Sequence, residues 1–412
     1  MSTDLLQKKD SVRWKSTQGY FLWLTLSFAM ASPTTASSQS NPSTNAASNS
    51  SSSGFPAPLG VPKPGATNDA PYAPQPILQG GIVLPLYPAG SPFLKMDRAR
   101  EAEQYNMSRA VPGRINSIVN IHNPSLEIHT VDGSLNTGTA VILAAGGGHN
   151  TLNVGTEAAD FVPYFFNYGV NTVILRNRLR RDGYSPQTDA VNDAFQAIRL
   201  VRAHAKEWNI DPNRIGVMGF SAGAELAAPA AVLFNEFDQK NPVTDGPLAG
   251  ISARPDFVAL IYPGPTPFAR EPKPEIPRNA PPAFITCAGS GDRMHALWAD
   301  QYFGAMLQAG IPNIEMHIYG NGYHPGSGST GGLTDRSGTP FGKWQDRYMD
   351  WFRDLGFLQK PTLETKAAKD ITLFLSQPPP GSGRRGGNAA GGNRGTTNAT
   401  ANPANPGGNV AK

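Results

Sequence analysis

The sequence has a single cysteine and lacks long apolar runs. Cys287 is the one cysteine among 412 residues, which excludes an intrachain disulfide. It lies in the apolar stretch 283–288, which is typical of a buried strand, so we interpret it as a packing residue rather than a reactive thiol. The longest apolar run, residues 20–30, has about 11 residues and is too short to span a bilayer as a helix. We therefore predict no membrane span in the mature chain.

The central part of the chain also lacks an excess of positive charge. The whole sequence carries a net charge of +4. Residues 1–31 contribute +2 and residues 377–412 contribute +4, so the residues between them carry −2. Because a nucleic-acid interface needs a basic patch on the folded domain, we predict no nucleic-acid partner.

Motifs for cofactors and metals are missing as well. The run Gly146, Gly147 and Gly148 follows an apolar stretch but does not form the Gly-x-Gly-x-x-Gly pattern of a dinucleotide-binding loop. Histidines, aspartates and glutamates do not recur at the spacing of metal ligands. We therefore predict neither a cofactor nor a bound metal.

The N-terminus carries the pattern of an export signal. Basic residues precede the apolar run 20–30, and small residues at Ala29 and Ala31 form a cleavage site. We predict that residues 1–31 are a signal peptide and that the mature protein is secreted or periplasmic.

Composition divides the remaining chain into three parts. Residues 32–75 are rich in Ser, Asn, Thr and Pro, and we predict a disordered linker there. Residues 76–360 have the composition of one folded domain. Residues 361–412 form a C-terminal extension, with a Gly-, Asn- and Pro-rich disordered tail from about residue 377.

Short apolar stretches alternate with amphipathic ones in the central domain. This alternation predicts an α/β fold, with a mostly parallel sheet of about eight strands and helices on both faces. The predicted strands are residues 117–122, 126–130, 140–144, 172–175, 215–220, 257–262, 283–288 and 314–319. The predicted helices are residues 157–168, 189–208, 222–235, 296–309 and 343–355.

A Gly-x-Ser-x-Gly motif joins the predicted strand 215–220 to a helix-forming run. Gly219, Ser221 and Gly223 form the motif, which in this setting indicates a nucleophile elbow. A serine on such a strained turn needs very small neighbours, which the two glycines supply. We predict that Ser221 is a nucleophile.

The glycine run after the predicted strand 140–144 suits a site for a negatively charged oxygen. Its backbone N–H groups can point into a cavity, as can the N–H of the residue that follows the nucleophile. We therefore predict an oxyanion hole made by Gly147, Gly148 and Ala222.

The sequence contains seven histidines, of which His324 best fits a catalytic base. With this motif the base follows both the nucleophile and the acid along the chain. His324 lies in a glycine-rich loop after the last predicted strand, and Asp292 follows the preceding strand. His295 is the main competitor for the role of base.

Three further residues are weaker candidates for a substrate pocket. His149 follows the glycine run, Glu225 comes one helical turn after the nucleophile, and Tyr323 precedes the candidate base. Arg176 and Arg178 lie at a strand end nearby. We expect these arginines to pair with local carboxylates rather than with substrate.

Several segments together resemble a known family. They are residues 146–149, 173–179, 189–212, 219–223, 254–263, 281–284 and 351–357. Over roughly residues 80–357 the chain resembles bacterial α/β-hydrolases related to acetylxylan esterases and feruloyl-esterase-like domains. The resemblance implies an α/β-hydrolase fold, a triad of Ser221, Asp292 and His324, and ester substrates that are often acyl groups on plant polysaccharides.

We therefore expect a serine esterase for short-chain acyl esters, such as acetyl groups on xylan or related polysaccharides. Ala224 and Glu225 after the elbow, and Tyr323 and Pro325 around His324, depart from the family pattern at the acyl pocket. The preference between acetyl and bulkier acyl groups stays open. The alternatives are a peptidase on the same fold and a non-catalytic carbohydrate-binding protein, which would not need a complete set of Ser, Asp and His.

Overall fold

The computed structural model describes residues 70–325 and 340–379. The strands in these residues are β1 (Ile82–Pro85), β2 (Gln104–Met107), β3 (Ile115–Val119), β4 (Ser125–His129), β5 (Ala140–Ala144), β6 (Asn171–Arg176), β7 (Ile215–Phe220), β8 (Val258–Ile261), β9 (Ala283–Ala288) and β10 (Ile314–Tyr319). The α-helices are α1 (Phe161–Phe166), α2 (Val191–Ala203), α3 (Ala224–Val232), α4 (Phe234–Lys240), α5 (Arg293–Gln308), α6 (Trp344–Asp354) and α7 (Lys366–Ser376). The predicted signal peptide lies outside the described residues and stays a prediction.

Eight strands form one sheet in the order β1-β4-β6-β5-β7-β8-β9-β10. From β6 to β10 the neighbouring strands run parallel. β1 and β4 add two antiparallel strands at one edge. The prediction of a mostly parallel sheet of about eight strands is confirmed.

The identity of the strands differs from the prediction in one place. The predicted strand 117–122 is displaced to Ile115–Val119, and it pairs with Gln104–Met107 in a separate two-stranded sheet. The eighth strand of the main sheet is Ile82–Pro85, which we did not predict. It is a four-residue edge strand that ends in proline, and its Ile82 is half exposed, so it carries no clear alternation of apolar and polar residues.

Four of the five predicted helices are shorter or broken in the structure, whereas the predicted helix 296–309 is the continuous 16-residue α5. The predicted helix 189–208 becomes α2 preceded by a π-helical turn at Pro186–Ala190. The predicted helix 222–235 ends at Val232, and a separate helix begins at Phe234. Helix α7 was not predicted at all.

The folded unit extends beyond both boundaries that composition suggested. Tyr72, inside the predicted linker, is buried and donates its N–H to Ala99 O. The Arg214 guanidinium donates to the carbonyls of Gln359, Lys360 and Leu363, which attaches the start of the C-terminal extension to the domain. One buried aromatic in a proline-rich run gives no periodic signal, so the sequence did not reveal this packing.

The core lies around the central strands. Every residue of β5, β6, β7 and β9 is buried, and Cys287 is among them. Burial raises the pKa of its thiol to about 12, in agreement with a packing role. Among the described residues, no helix combines the length and the apolarity that crossing a membrane requires.

Strand register brings four functional loops to the same edge of the sheet. Ala144 at the end of β5 pairs with Gly219 near the end of β7, so the glycine run and Ser221 emerge side by side. Ala288 at the end of β9 pairs with Tyr319 at the end of β10, so the segments that carry Asp292 and His324 also begin side by side. Carboxyl ends of parallel strands are where open α/β sheets bind ligands.

Candidate active site

Ser221 stands on a tight turn between β7 and α3. Its φ of +51° lies in the left-handed region, which is strained for a non-glycine residue. A Cβ on Gly219 would lie 2.3 Å from Gly223 O, and a Cβ on Gly223 would lie 1.9 Å from Ala144 O. Both flanking positions therefore require glycine, and the turn presents the serine hydroxyl beyond the strand end.

A chain of hydrogen bonds links Ser221, His324 and Asp292. Ser221 Oγ lies 3.0 Å from His324 Nε2, and His324 Nδ1 lies 2.9 Å from Asp292 Oδ2. The Tyr262 ring packs edge-on against the His324 imidazole, with ring centroids 5.1 Å apart. The structure thus brings together the three residues that the motif order selected.

His295 contacts the other oxygen of Asp292. Its Nδ1 lies 2.5 Å from Asp292 Oδ1, and its ring stacks on His324 with centroids 3.8 Å apart and planes 14° apart. Within the described residues it makes no hydrogen bond to Ser221. Burial tends to raise the pKa of Asp292, but hydrogen bonds from His295 and His324 outweigh burial and lower it.

The glycine run lies directly beside the nucleophile. A Cβ on Gly146 would come within 3.0 Å of Ser221 Cβ, and its N–H donates to Glu157 Oε2 at 2.7 Å. Gly147 and Gly148 have φ values of +125° and +61°. Within residues 70–325 and 340–379, neither donates its N–H to a backbone carbonyl. In this they differ from Gly146, whose N–H is bound to the Glu157 carboxyl group.

Arginines hold the glycine loop and the sheet edge in place. Arg180 Nη2 donates to Gly148 O at 3.0 Å. Arg176 forms buried ion pairs with Glu103 and Glu127, and Arg178 pairs with Asp193 at 2.6 Å. The expectation that Arg176 and Arg178 pair with local carboxylates is confirmed.

The three weaker pocket candidates differ in their surroundings. His149 is buried with a φ of +58°, and its Nε2 lies 3.4 Å from Glu225 Oε1, without the direction of a hydrogen bond. Glu225 lines a cavity of about 170 Å³. Tyr323 is 77% exposed and does not line this cavity.

Glu157 is a buried residue that the sequence analysis missed. Its carboxylate accepts hydrogen bonds from the Gly146 N–H and, at 2.9 Å, from the Tyr262 hydroxyl. It therefore ties the glycine loop to the aromatic ring that packs on His324. A glutamate inside a predicted amphipathic helix gives no signal of such a role, because its burial depends on the tertiary fold.

Glu157→Gln is expected to change the pH dependence of stability. Burial raises the pKa of Glu157, so the folded carboxyl resists ionisation. The wild type should lose stability as pH rises from the unfolded pKa, about 4.3, to the raised folded value. Glutamine keeps the shape and an acceptor for Gly146, so the melting temperature of this variant should lack the fall that begins near pH 4 in the wild type.

Glu157→Leu serves as the contrasting variant. It leaves the Gly146 N–H and the Tyr262 hydroxyl without this acceptor, which should cost about 2–4 kcal/mol of unfolding free energy in chemical denaturation. Equal stability of the leucine variant and the wild type would show that Glu157 does not support the loop.

Three potential metal ligands lie close together at the site, although their spacing in the sequence did not indicate a metal site. Ligand atoms of Asp292, His295 and His324 all lie within 4.8 Å of one another. The two imidazole planes are nearly parallel, whereas a metal bound by a ring nitrogen lies close to the plane of that ring. One ion bound by both Nδ1 atoms would lie outside the plane of at least one imidazole ring. The arrangement therefore fits two histidines that share hydrogen bonds to one carboxylate better than it fits a metal site.

The sheet order and the serine on its strand-to-helix turn define an α/β-hydrolase fold. Residues 126–254 match the model of the BD-FAE family. A solved structure of an acetyl ester-xyloside bifunctional hydrolase from Caldicellulosiruptor lactoaceticus is similar, with 26% identity and a TM-score of 0.51, over 67% of this chain and 97% of that one. The resemblance inferred from the motifs is confirmed.

Two curated relatives match shorter stretches. An acetylxylan esterase of Xylanibacter ruminicola is 30% identical over 127 residues, which are 31% of this chain and 23% of the relative. Endo-1,4-beta-xylanase B of Butyrivibrio fibrisolvens is 35% identical over 100 residues, which are 24% of this chain and 15% of the relative. The chain therefore spans less than a quarter of the length of either relative.

Proposed function

We propose that this chain is an exported serine esterase that hydrolyses carboxylic esters through an acyl-enzyme. The observation that carries the proposal is the hydrogen-bonded chain of Ser221, His324 and Asp292, with distances of 3.0 and 2.9 Å. Such a chain turns a weakly nucleophilic hydroxyl into one that attacks acyl carbons. Similarity to esterases of the same fold supports the proposal.

Export rests on residues 1–31 alone, and N-terminal sequencing of the mature chain checks it.

Acylation begins when Ser221 Oγ attacks the ester carbonyl carbon. His324 Nε2 accepts the hydroxyl proton as the bond forms. The carbonyl oxygen becomes negatively charged and accepts hydrogen bonds from the N–H groups of Gly147, Gly148 and Ala222. His324 then returns the proton to the alcohol oxygen as the carbon–oxygen bond breaks, which leaves the acyl group on Ser221.

Deacylation repeats the same steps with water as the nucleophile. His324 takes a proton from water, the oxyanion forms again, and the acid leaves as Ser221 regains its proton. Throughout the cycle Asp292 accepts the Nδ1–H of His324. It fixes the tautomer with Nε2 facing Ser221 and stabilises the imidazolium.

The finer proposal is that the alcohol part of the substrate is hydroxylated, as in an acetylated polysaccharide such as xylan. Glu225, on the helix that follows Ser221, supplies a carboxylate to a cavity of about 170 Å³. Thr266 also lines this cavity. Sugar hydroxyls would donate hydrogen bonds to this carboxylate, whereas an alkyl chain offers it no donor.

Ester hydrolysis tests the proposed function directly. The panel is p-nitrophenyl acetate, butyrate and octanoate, acetylated xylan, methyl ferulate and a p-nitroanilide peptide. We expect turnover of the acetate ester and of acetylated xylan, with little turnover of octanoate. Cleavage of the peptide alone would favour a peptidase, and a folded protein that turns over none of these would contradict the proposal.

Glu225 variants test the substrate cavity. Glu225→Leu should raise KM for acetylated xylan by about 10-fold, because a hydrogen bond to a charged group is lost. KM for p-nitrophenyl acetate, which has no sugar hydroxyls, should change little. Glu225→Gln is the matched control that keeps shape and hydrogen-bonding capacity. An equal rise in KM for both substrates would contradict a sugar site in this cavity.

A further inference from the structure

A second imidazole shares the carboxylate of the proposed triad. Asp292 precedes α5 at its N-cap position, yet its side chain does not accept a backbone N–H of that helix. Its carboxylate instead faces two histidines, with His295 on Oδ1 at 2.5 Å and His324 on Oδ2 at 2.9 Å. Both carboxylate oxygens are thus engaged by imidazole nitrogens rather than by the backbone.

The helix sets the position of His295. Because residues three apart lie on the same side of a helical turn, His295 reaches back to Asp292 from the first turn of α5. Its ring then lies parallel to His324 at a centroid distance of 3.8 Å and meets Trp298 edge-on on another side. The Asp292 side chain is 5% exposed, so little water can replace a lost donor on Oδ1.

We propose that His295 is a positioning residue that fixes the Asp292 carboxylate in the orientation His324 requires. The inference rests on the proposed esterase function of Ser221, His324 and Asp292. With Oδ1 held by the Nδ1–H of His295, only Oδ2 faces His324, and the carboxylate cannot rotate away. Without that bond, the carboxylate gains freedom and the His324 imidazole loses its fixed plane and tautomer.

The two contacts of His295 can be separated by substitution. In His295→Asn the Nδ2 atom occupies the position of the histidine Nδ1, so the donor is kept and the stacked ring is lost. In His295→Phe the ring is kept and the donor is lost. The pair therefore distinguishes fixation of Asp292 from simple packing against His324.

Steady-state kinetics on p-nitrophenyl acetate is the first measurement. His295→Phe should lower kcat by about 10- to 100-fold, because small displacements of a catalytic group cost this much. KM should stay unchanged, since His295 does not touch Ser221 in the structure. His295→Asn should retain kcat within about 3-fold of the wild type.

Three results would overturn the proposal. They are a phenylalanine variant as fast as the wild type, equal losses in both variants, or a loss confined to KM. Thermal melting of both variants serves as the control for folding.

Proton NMR keeps this inference separate from the esterase proposal. A histidine Nδ1–H donated to a buried carboxylate gives a downfield, slowly exchanging signal. We expect the His324 signal to persist in His295→Asn and to broaden or shift in His295→Phe. If the wild type hydrolyses no ester, the proposed function fails, while this signal still reports whether His295 orders Asp292. An unchanged His324 signal in the phenylalanine variant would overturn the inference.

Discussion

Ser221→Ala is expected to lower kcat for p-nitrophenyl acetate by a factor on the order of 10⁵ to 10⁶. Alanine has no oxygen to attack the acyl carbon, so the acyl-enzyme cannot form. Any remaining rate would come from the oxyanion hole and from binding alone. The assay compares steady-state rates of matched preparations, with mass spectrometry to detect acylated enzyme in the wild type.

The folded state of Ser221→Ala should be nearly unchanged. The φ of +51° is imposed by the turn and is equally strained for serine and alanine. We therefore expect the unfolding free energy to stay within about 0.5 kcal/mol of the wild type. If the alanine variant retained a substantial fraction of the rate, a different residue would have to be the nucleophile.

Asp292→Asn is expected to lower kcat by a factor on the order of 10³ to 10⁴. The wild-type carboxylate accepts hydrogen bonds from both His295 and His324. An asparagine offers one oxygen and one NH₂, so it can accept from only one of the two imidazoles. If its NH₂ faces His324, it stabilises the tautomer with Nε2 protonated, which cannot accept the Ser221 proton.

The pH dependence of stability gives a second readout for Asp292. The two histidines lower its pKa below the ordinary value despite its burial. A depressed pKa contributes stability above the unfolded pKa, about 3.9, and this contribution is lost as pH falls through the folded value. The wild type should therefore lose stability relative to Asp292→Asn on acidification below about pH 4.

If Asp292→Asn had a kcat near that of the wild type, the proposed role of Asp292 in catalysis would be contradicted.

The catalytic candidates show which parts of the site can be predicted from local sequence. Gly219, Ser221 and Gly223 are neighbours in the chain, and the steric demands of their turn are visible in the sequence itself. Asp292 and His324 followed from motif order and from the loops after strands β9 and β10. Their distances could not be predicted, because they depend on the register between strands that are far apart in sequence.

The role of His295, in contrast, could not be predicted from local sequence. The sequence placed it three residues from Asp292 and left it as a competing base. Which imidazole faces Ser221 depends on where the loop after β10 folds back onto the helix α5. Glu157 and Tyr262 were missed for the same reason, because their hydrogen bond joins residues 105 positions apart.

The sequence by itself determined the fold class, the strands of the central sheet other than β1, and the nucleophile turn. These features follow from local periodicity and from steric limits on neighbouring residues. Only the tertiary structure decided the edge strand β1, the packing of Tyr72, the helix α7, and the sharing of Asp292 between two histidines. Those features arise from contacts between distant segments, whose free energy depends on burial and geometry that no local pattern encodes.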